Sequence, residues 1–258
     1  MTDPVPLRSP AQSQPVLFWG FIVLMVGLMA SFVWLGTWQM QRLAEKEALI
    51  ARVESRLDAA PLVLATSDDW SDPDDLEFRP VQLSGTFRHD QTVRVFTSLA
   101  SGQARGPATG PGYWWLTPLE VPGGGTVLVN RGFVPEGLDP ALVAAPEGAV
   151  VVEGIARRSE PASWFTLEPD SADRLEWVRD TDRLATMLPE DLLPVAPITV
   201  DQSAGPTGTF PQGGETVIEF PNNHLGYAIT WYGFALLTPI MLGFWIWRQR
   251  RPADALPS

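Results

Sequence analysis

A chain of 258 residues has room for one or two compact domains. Its 30 acidic residues against 18 basic ones give a formal net charge of -12, which argues against nucleic acid as a partner, since phosphate binding needs a basic surface. With no cysteine there is no disulfide framework, thiolate metal site or cysteine nucleophile, and two histidines, His89 and His224, exclude any site built on three imidazoles.

Residues 1–15 form a short tail carrying only Asp3 and Arg8. Residues 16–38, VLFWGFIVLMVGLMASFVWLGTW, contain no charge. About 20 such residues suffice to cross the hydrocarbon core as a helix. The stretch is too long, and its flank too poor in basic residues, for a cleaved signal peptide. Trp19, Trp34 and Trp38 lie near its ends, where indoles favour the membrane interface. Gly20, Gly27 and Ser31 are placed either for close helix approach or for lipid contact.

Residues 39–223 hold 14 basic and 28 acidic residues, as expected of an acidic domain in water. It opens on QMQRLAEKEALIARVESRLDAA, which is rich in helix formers and has no Gly or Pro, so the first helix is expected to run on into water. SDDWSDPDDLE lacks the ligand spacing of a calcium loop and reads as a solvated acidic loop. From Arg79 the pattern changes to strands: VQLSGTF, with Gly85 as a bulge or strand end, TVRVFTSL, and GYWWLTPLE joined to TVLVN by a PGGG turn. VVVEGIA, LEWVRD, PITVDQ and ETVIEF continue the series, interrupted by a short helix at TDRLATML with Asp180 or Thr181 as its cap. The domain is expected to be α+β, a mainly antiparallel sheet or small barrel.

Residues 224–247 form a second charge-free span, kinked at Pro239, and the tail 248–258 begins with Arg248, Arg250 and Arg251. The positive-inside rule puts that tail in the cytoplasm, and two spans return the N-terminus there too. Arg42, Lys46, Arg52 and Arg56 pull the other way, but the C-terminal asymmetry is the cleaner signal. The expected architecture is a membrane protein with two transmembrane α-helices bracketing an extracytoplasmic domain.

Two histidines give no Ser-His-Asp arrangement, and the Gly-rich stretches lack the phosphate-loop and dinucleotide patterns. His89, in the RHDQ turn, is expected to be exposed. His224, at the mouth of the second span, has two readings. One is a helix-end residue with Asn222 or Asn223 as cap. The other is an axial ligand to haem iron, with Tyr227, Ala228 and Trp231 on its helix face to meet a flat macrocycle.

Four stretches, GTWQMQRLAEK, FRPVQLSGTF, VLVNRGFVP and PNNHLGYAITWYGFA, occur in an order that resembles the SURF1 family of cytochrome c oxidase assembly proteins. The resemblance runs from Gly36 to Trp247 and implies a role in maturing the haem-bearing subunit I of an aa3-type oxidase. It implies transient haem a binding and delivery from haem a synthase, with His224 as iron ligand and no enzyme activity. Trp231, Tyr227 and Trp38 are then expected near the macrocycle or its tail. Arg131 is either a propionate partner or a structural arginine after the hairpin. A membrane scaffold that stabilises subunit I without haem is the main alternative. An anchored hydrolase or sensor domain would need a nucleophile–base pair or ligand pocket that the sequence does not offer. The absence of an arginine-rich amphipathic leader favours a bacterial inner membrane.

Overall fold

The computed structural model describes residues 15–102, 104–216 and 220–250. The chain divides into two compact units, a helical one made of residues up to Ile50 and from Phe220 onward, and a sheet domain spanning Ala51–Glu219.

The first helix, α1 (Pro15–Leu57), runs unbroken for 43 residues, about 64 Å at 1.5 Å per residue. It outruns the apolar span because Ala, Glu, Leu, Arg and Lys fill the positions that follow Trp38. Its last turns belong to the sheet domain, where Val53 is buried and Arg56 donates from Nη1 to the carbonyls of Asp74 and Glu77, both at 3.0 Å.

Strand β1 (Leu62–Leu64) leads into the acidic stretch, which is folded rather than a loose loop. It makes a 3-10 turn at Ser67–Trp70 and the short helix α2 (Pro73–Leu76). Asp69 Oδ2 accepts the N–H groups of Ala65 at 2.7 Å and Thr66 at 2.8 Å, and Asp72 Oδ1 accepts that of Asp75 at 3.2 Å. These carboxylates serve as caps, and Trp70 and Leu76 of the same stretch are buried, which a solvated loop would not achieve.

The sheet follows with β2 (Pro80–Phe87), β3 (Val93–Leu99), β4 (Gly110–Glu120), β5 (Thr126–Pro135), β6 (Ala149–Arg158) and β7 (Leu175–Glu176). After helix α3 (Thr181–Ala185) comes β8 (Val195–Gln202). Asp180 caps α3, accepting the N–H groups of Asp182 and Arg183. The strand order is β1-β2-β6-β8-β5-β4-β3-β7, and β2 also pairs with β4 through Thr86–Glu120 and Phe87–Leu119. That pairing closes β2, β6, β8, β5 and β4 into a five-stranded barrel-like ring, antiparallel except between β5 and β8. Gly85 sits at the closure, where a Cβ would lie 2.2 Å from the Glu120 carbonyl oxygen. It marks a close approach of two strands rather than a strand end.

One core cluster gathers Leu83, Leu119, Val129, Val152, Ile198 and Val200; a second joins Val93, Leu116 and Leu128 to Leu184 and Leu192. Strand β5 is buried from Thr126 to Val134 and runs five residues beyond the TVLVN expected. Conversely, LEWVRD contributes only the two-residue β7. Of ETVIEF, Glu215 and Thr216 lie outside any strand, and residues 217–219 lie outside the described residues.

Helix α4 (His224–Gln249) pairs with α1 in the helical unit; both are long and apolar enough to cross a membrane. The less exposed residues of α1 include a series at Phe18, Ile22, Met25, Met29, Phe32, Gly36, Gln39, Leu43 and Lys46, flanked by Phe21, Leu35 and Ile50. On α4 they include a series at His224, Ala228, Trp231, Ala235, Thr238, Leu242 and Trp245, flanked by Gly233 and Ile246. Both series step by four and three, the 3.5-residue repeat of a supercoiled helix pair. Phe18 stacks on Trp245 at 5.2 Å and Phe32 on Trp231 at 5.8 Å, so the helices run antiparallel. Gly20 and Gly27 fall off this seam; Gly36 falls on it, where a Cβ would lie 2.8 Å from the Tyr232 ring.

Candidate functional site

The sequence singles out His224, and the helix pair shows how it is held. His224 is the first residue of α4 and half-buried. Asn222 Oδ1 accepts its backbone N–H at 3.4 Å, so one of the two expected asparagines supplies a cap contact, while Asn223 makes no side-chain cap. Its imidazole Nδ1 lies 2.7 Å from Oε1 of Gln39, a seam residue of α1 that is 9 % exposed. With Gln39 Oε1 facing the ring, Nδ1 is the donor of this contact and Nε2 is left with its lone pair. Nε2 has no hydrogen-bond partner among the described residues.

The same imidazole lines a hollow of about 490 Å³ with Trp38, Arg42, Glu45, Lys46 and Leu49 of α1. Two cations stand there against aromatic rings. The Arg42 guanidinium lies 5.7 Å from the Trp38 ring and pairs with Glu45 at 2.8 Å; the Lys46 ammonium lies 5.1 Å from the Phe220 ring. A nitrogen with a free lone pair, an indole and two cations suit a flat, partly anionic ligand with a metal centre.

The other aromatic candidates stand elsewhere. Tyr227 is 57 % exposed and off the seam. Trp231 is two turns along α4 from His224, its ring stacked on Phe32 and set edgewise to Phe234 at 6.0 Å. Neither lines the hollow; Trp38 does.

Arg131 lies in the sheet domain, 6 % exposed. Its guanidinium sits 5.2 Å from the Phe87 ring, Nη2 donates to the Ala144 carbonyl, and Nη1 lies 3.4 Å from His89 Nδ1. No carboxylate pairs with it and Nε has no partner among the described residues, so burial pulls its pKa down to about 10. His89, expected to be exposed, is half-buried: its Nε2 donates to the Pro146 carbonyl at 2.9 Å, and its ring lies 5.4 Å from Phe87. The neighbours in VLVNRGFVP are equally structural. Asn130 Nδ2 donates to Asp201 at 2.9 Å, and Gly132 N–H donates back to Asn130 Oδ1 at 3.2 Å. A second hollow of about 490 Å³ in this domain is lined by Asp201, Arg105 and Glu215. Its carboxylates are already engaged, Asp201 by Arg179 and Thr216, and Glu215 by the N–H groups of Arg105 and Gly106.

The model of the SURF1 family matches residues 26–236, most of the chain and all four sequence stretches. The chain belongs to the SURF1 family. It is 36 % identical over 226 residues to a SURF1-like protein of Monosiga brevicollis, covering 84 % of this chain and 83 % of that one. Surfeit locus protein 1 of Rattus norvegicus is 35 % identical over 218 residues, 79 % of this chain and 68 % of its own length. That of Homo sapiens is 34 % identical over 220 residues, 79 % and 70 % respectively. The family match includes both Gln39 and His224. Gln39 stands in the motif that ends the first apolar span, yet composition gives it no role; its signal is its place in the repeat that starts at Phe18.

Proposed function

We propose that this SURF1-family chain is an assembly factor for an aa3-type haem-copper oxidase, holding haem a as cargo on its way to subunit I. It performs no chemical step of its own. One observation carries the reading: a half-buried imidazole whose Nδ1 meets Gln39 and whose Nε2 has no partner among the described residues, on the wall of a hollow lined by Trp38, Arg42 and Lys46. The hollow's volume, about 490 Å³, falls in the range of small-molecule sites, roughly 300–1,000 Å³. His224 would supply the nitrogen ligand, Trp38 a flat apolar wall and Lys46 the partner for a propionate, with Arg42 available to a second propionate once it leaves Glu45. The surroundings of Arg131 support the structural role for that residue, since a propionate would have to displace its cover over Phe87. Haem a also carries a long hydrocarbon tail, which favours a site at the mouth of two apolar helices. The partners are then haem a synthase, oxidase subunit I and membrane lipid. The two spans would sit in a bacterial inner membrane with both termini cytoplasmic.

The test is the optical spectrum of detergent-purified protein co-expressed with the enzymes of haem a synthesis, wild type beside His224→Ala. Haem a in the wild type and its loss in the variant would support the carrier. Haem-free wild type that still co-purifies with subunit I would support a scaffold instead. The scaffold reading has its own observation, the exposed pair Trp164 and Phe165 in the sheet domain, 95 % and 71 % accessible and in edge-to-face contact at 5.4 Å.

A further inference from the structure

We infer that Gln39 is a positioning residue: it fixes His224 in the Nδ1–H tautomer and thereby reserves Nε2 as the ligating atom. The inference rests on the reading of His224 as a ligand and adds to it the residue that prepares the ligand.

From Phe18 to Phe32 the α1 positions of the seam are apolar, Gly36 follows, and the next one is Gln39. A primary amide there, 9 % exposed, must find a hydrogen-bond partner or lose the free energy of its hydration. The partner is the imidazole of His224, the first seam residue of α4. The contact is short, 2.7 Å, and joins residues 185 apart in sequence, so it depends on the two helices being in register. With Oε1 as the facing atom the contact is an N–H···O bond, which puts the proton on Nδ1. A free imidazole in water prefers the other tautomer, with the proton on Nε2, which would block that nitrogen as a ligand. Gln39 reverses the preference. It also stops the ring turning about its Cβ–Cγ bond, because rotation would break the bond to Oε1. Nitrogen ligands in metal sites are commonly held this way by a partner on the second ring nitrogen, and loss of that partner costs about 10–100-fold in affinity.

A purely structural account is available, since one polar pair in an apolar seam also specifies register. It makes a different prediction. Register needs only some hydrogen bond between the two side chains, in either direction. Positioning needs an acceptor at residue 39.

The experiment uses the full chain in lipid nanodiscs, labelled with 15N-histidine; with two histidines the spectrum is assigned by comparison with His224→Ala. Two-bond 1H–15N correlation reads which ring nitrogen carries the proton in the haem-free protein, and haem a titration then reads affinity. Wild type is expected to show Nδ1 protonated and Nε2 bare. Gln39→Glu, still an acceptor, is expected to keep that tautomer and the affinity. Gln39→Met, of similar length but unable to accept in this way, is expected to move the proton to Nε2 and to weaken haem a binding about 10–100-fold. Wild type with Nε2 protonated, or Gln39→Met with unchanged tautomer, would overturn the inference. So would Gln39→Met that loses the tautomer but binds haem a as tightly as wild type. A wild type that binds no haem a fails the carrier reading separately; the tautomer of wild type and of the two variants still decides whether Gln39 positions the ring. Should Gln39→Met separate the helices, Gln39→Asn, whose shorter side chain withdraws the oxygen while remaining polar, gives the same readout.

Discussion

Gly132 lies in the middle of β5 with φ +133, a conformation that side-chain-bearing residues rarely adopt. A Cβ built there would lie 2.2 Å from the Gln212 carbonyl oxygen, which is backbone and cannot swing away. That carbonyl accepts Phe133 N–H at 2.9 Å, while Gln212 N–H donates to Phe133 O at 2.8 Å. Gly132→Ala therefore adds backbone strain of about 1–3 kcal/mol and displaces a segment held by two hydrogen bonds worth about 1 kcal/mol each. The sum, about 3–5 kcal/mol, is a large part of the 5–15 kcal/mol that typically holds a domain together. Gly137 is the control, because its φ is +80 but nothing lies within 4 Å of its would-be Cβ. Gly137→Ala is expected to cost only the strain, about 1–2 kcal/mol. Thermal unfolding of the full chain in detergent, followed by near-ultraviolet circular dichroism, should separate the two variants by roughly 2–16 °C, since they differ by about 1–4 kcal/mol and each kcal/mol moves a domain of this size by roughly 2–4 °C. Equal melting temperatures would refute the steric argument and show that residues near Gln212 yield freely.

Arg131→Met removes a buried cation that has no carboxylate partner among the described residues. Its melting temperature should fall, because the Ala144 carbonyl and the Phe87 ring lose the guanidinium that covers them, and a melting temperature equal to or above that of wild type would contradict the structural role. The Asp69 carboxyl is held below its ordinary pKa by the N–H groups of Thr66 and Ala65. Its contribution is therefore present above the unfolded pKa and lost as pH falls through the lower folded value. The destabilisation caused by Asp69→Asn should accordingly be larger at pH 7 than at pH 2, and a penalty that does not change with pH would contradict the capping account. Gly36→Val should weaken the helix pair by pushing on the Tyr232 ring, 2.8 Å from the new Cβ, and Tyr232→Ala in the same chain should restore the melting temperature. Failure of that second change to rescue the first would place the clash elsewhere.

Much of the sheet domain is legible because alternation and burial agree along β2, β3 and β6. The second half of β5 is not, because Asn130, Arg131 and Gly132 together read as a turn. Each is polar or flexible for a tertiary reason invisible locally: Asn130 meets Asp201, Arg131 lies over Phe87, and Gly132 makes room for Gln212. The acidic stretch misleads in the same way, since a capping carboxylate and a solvated one look alike until the backbone they cap is known.

The candidate site shows the same division more sharply. A single helix places Tyr227, Ala228 and Trp231 on the face of His224 without ranking them. The partner helix makes the choice: Ala228 is 1 % exposed and Tyr227 57 %. Once one layer of the seam is known, the repeat supplies the others. From Phe32 opposite Trp231, two heptads back on α1 and two forward on α4 reach Phe18 and Trp245, which are stacked. One heptad forward on α1 and one back on α4 reach Gln39 and His224, which are hydrogen-bonded. The residue that prepares His224 thus follows from the register of the pair, and any insertion or deletion within α1 between Phe32 and Gln39 should uncouple the two even where both side chains are kept.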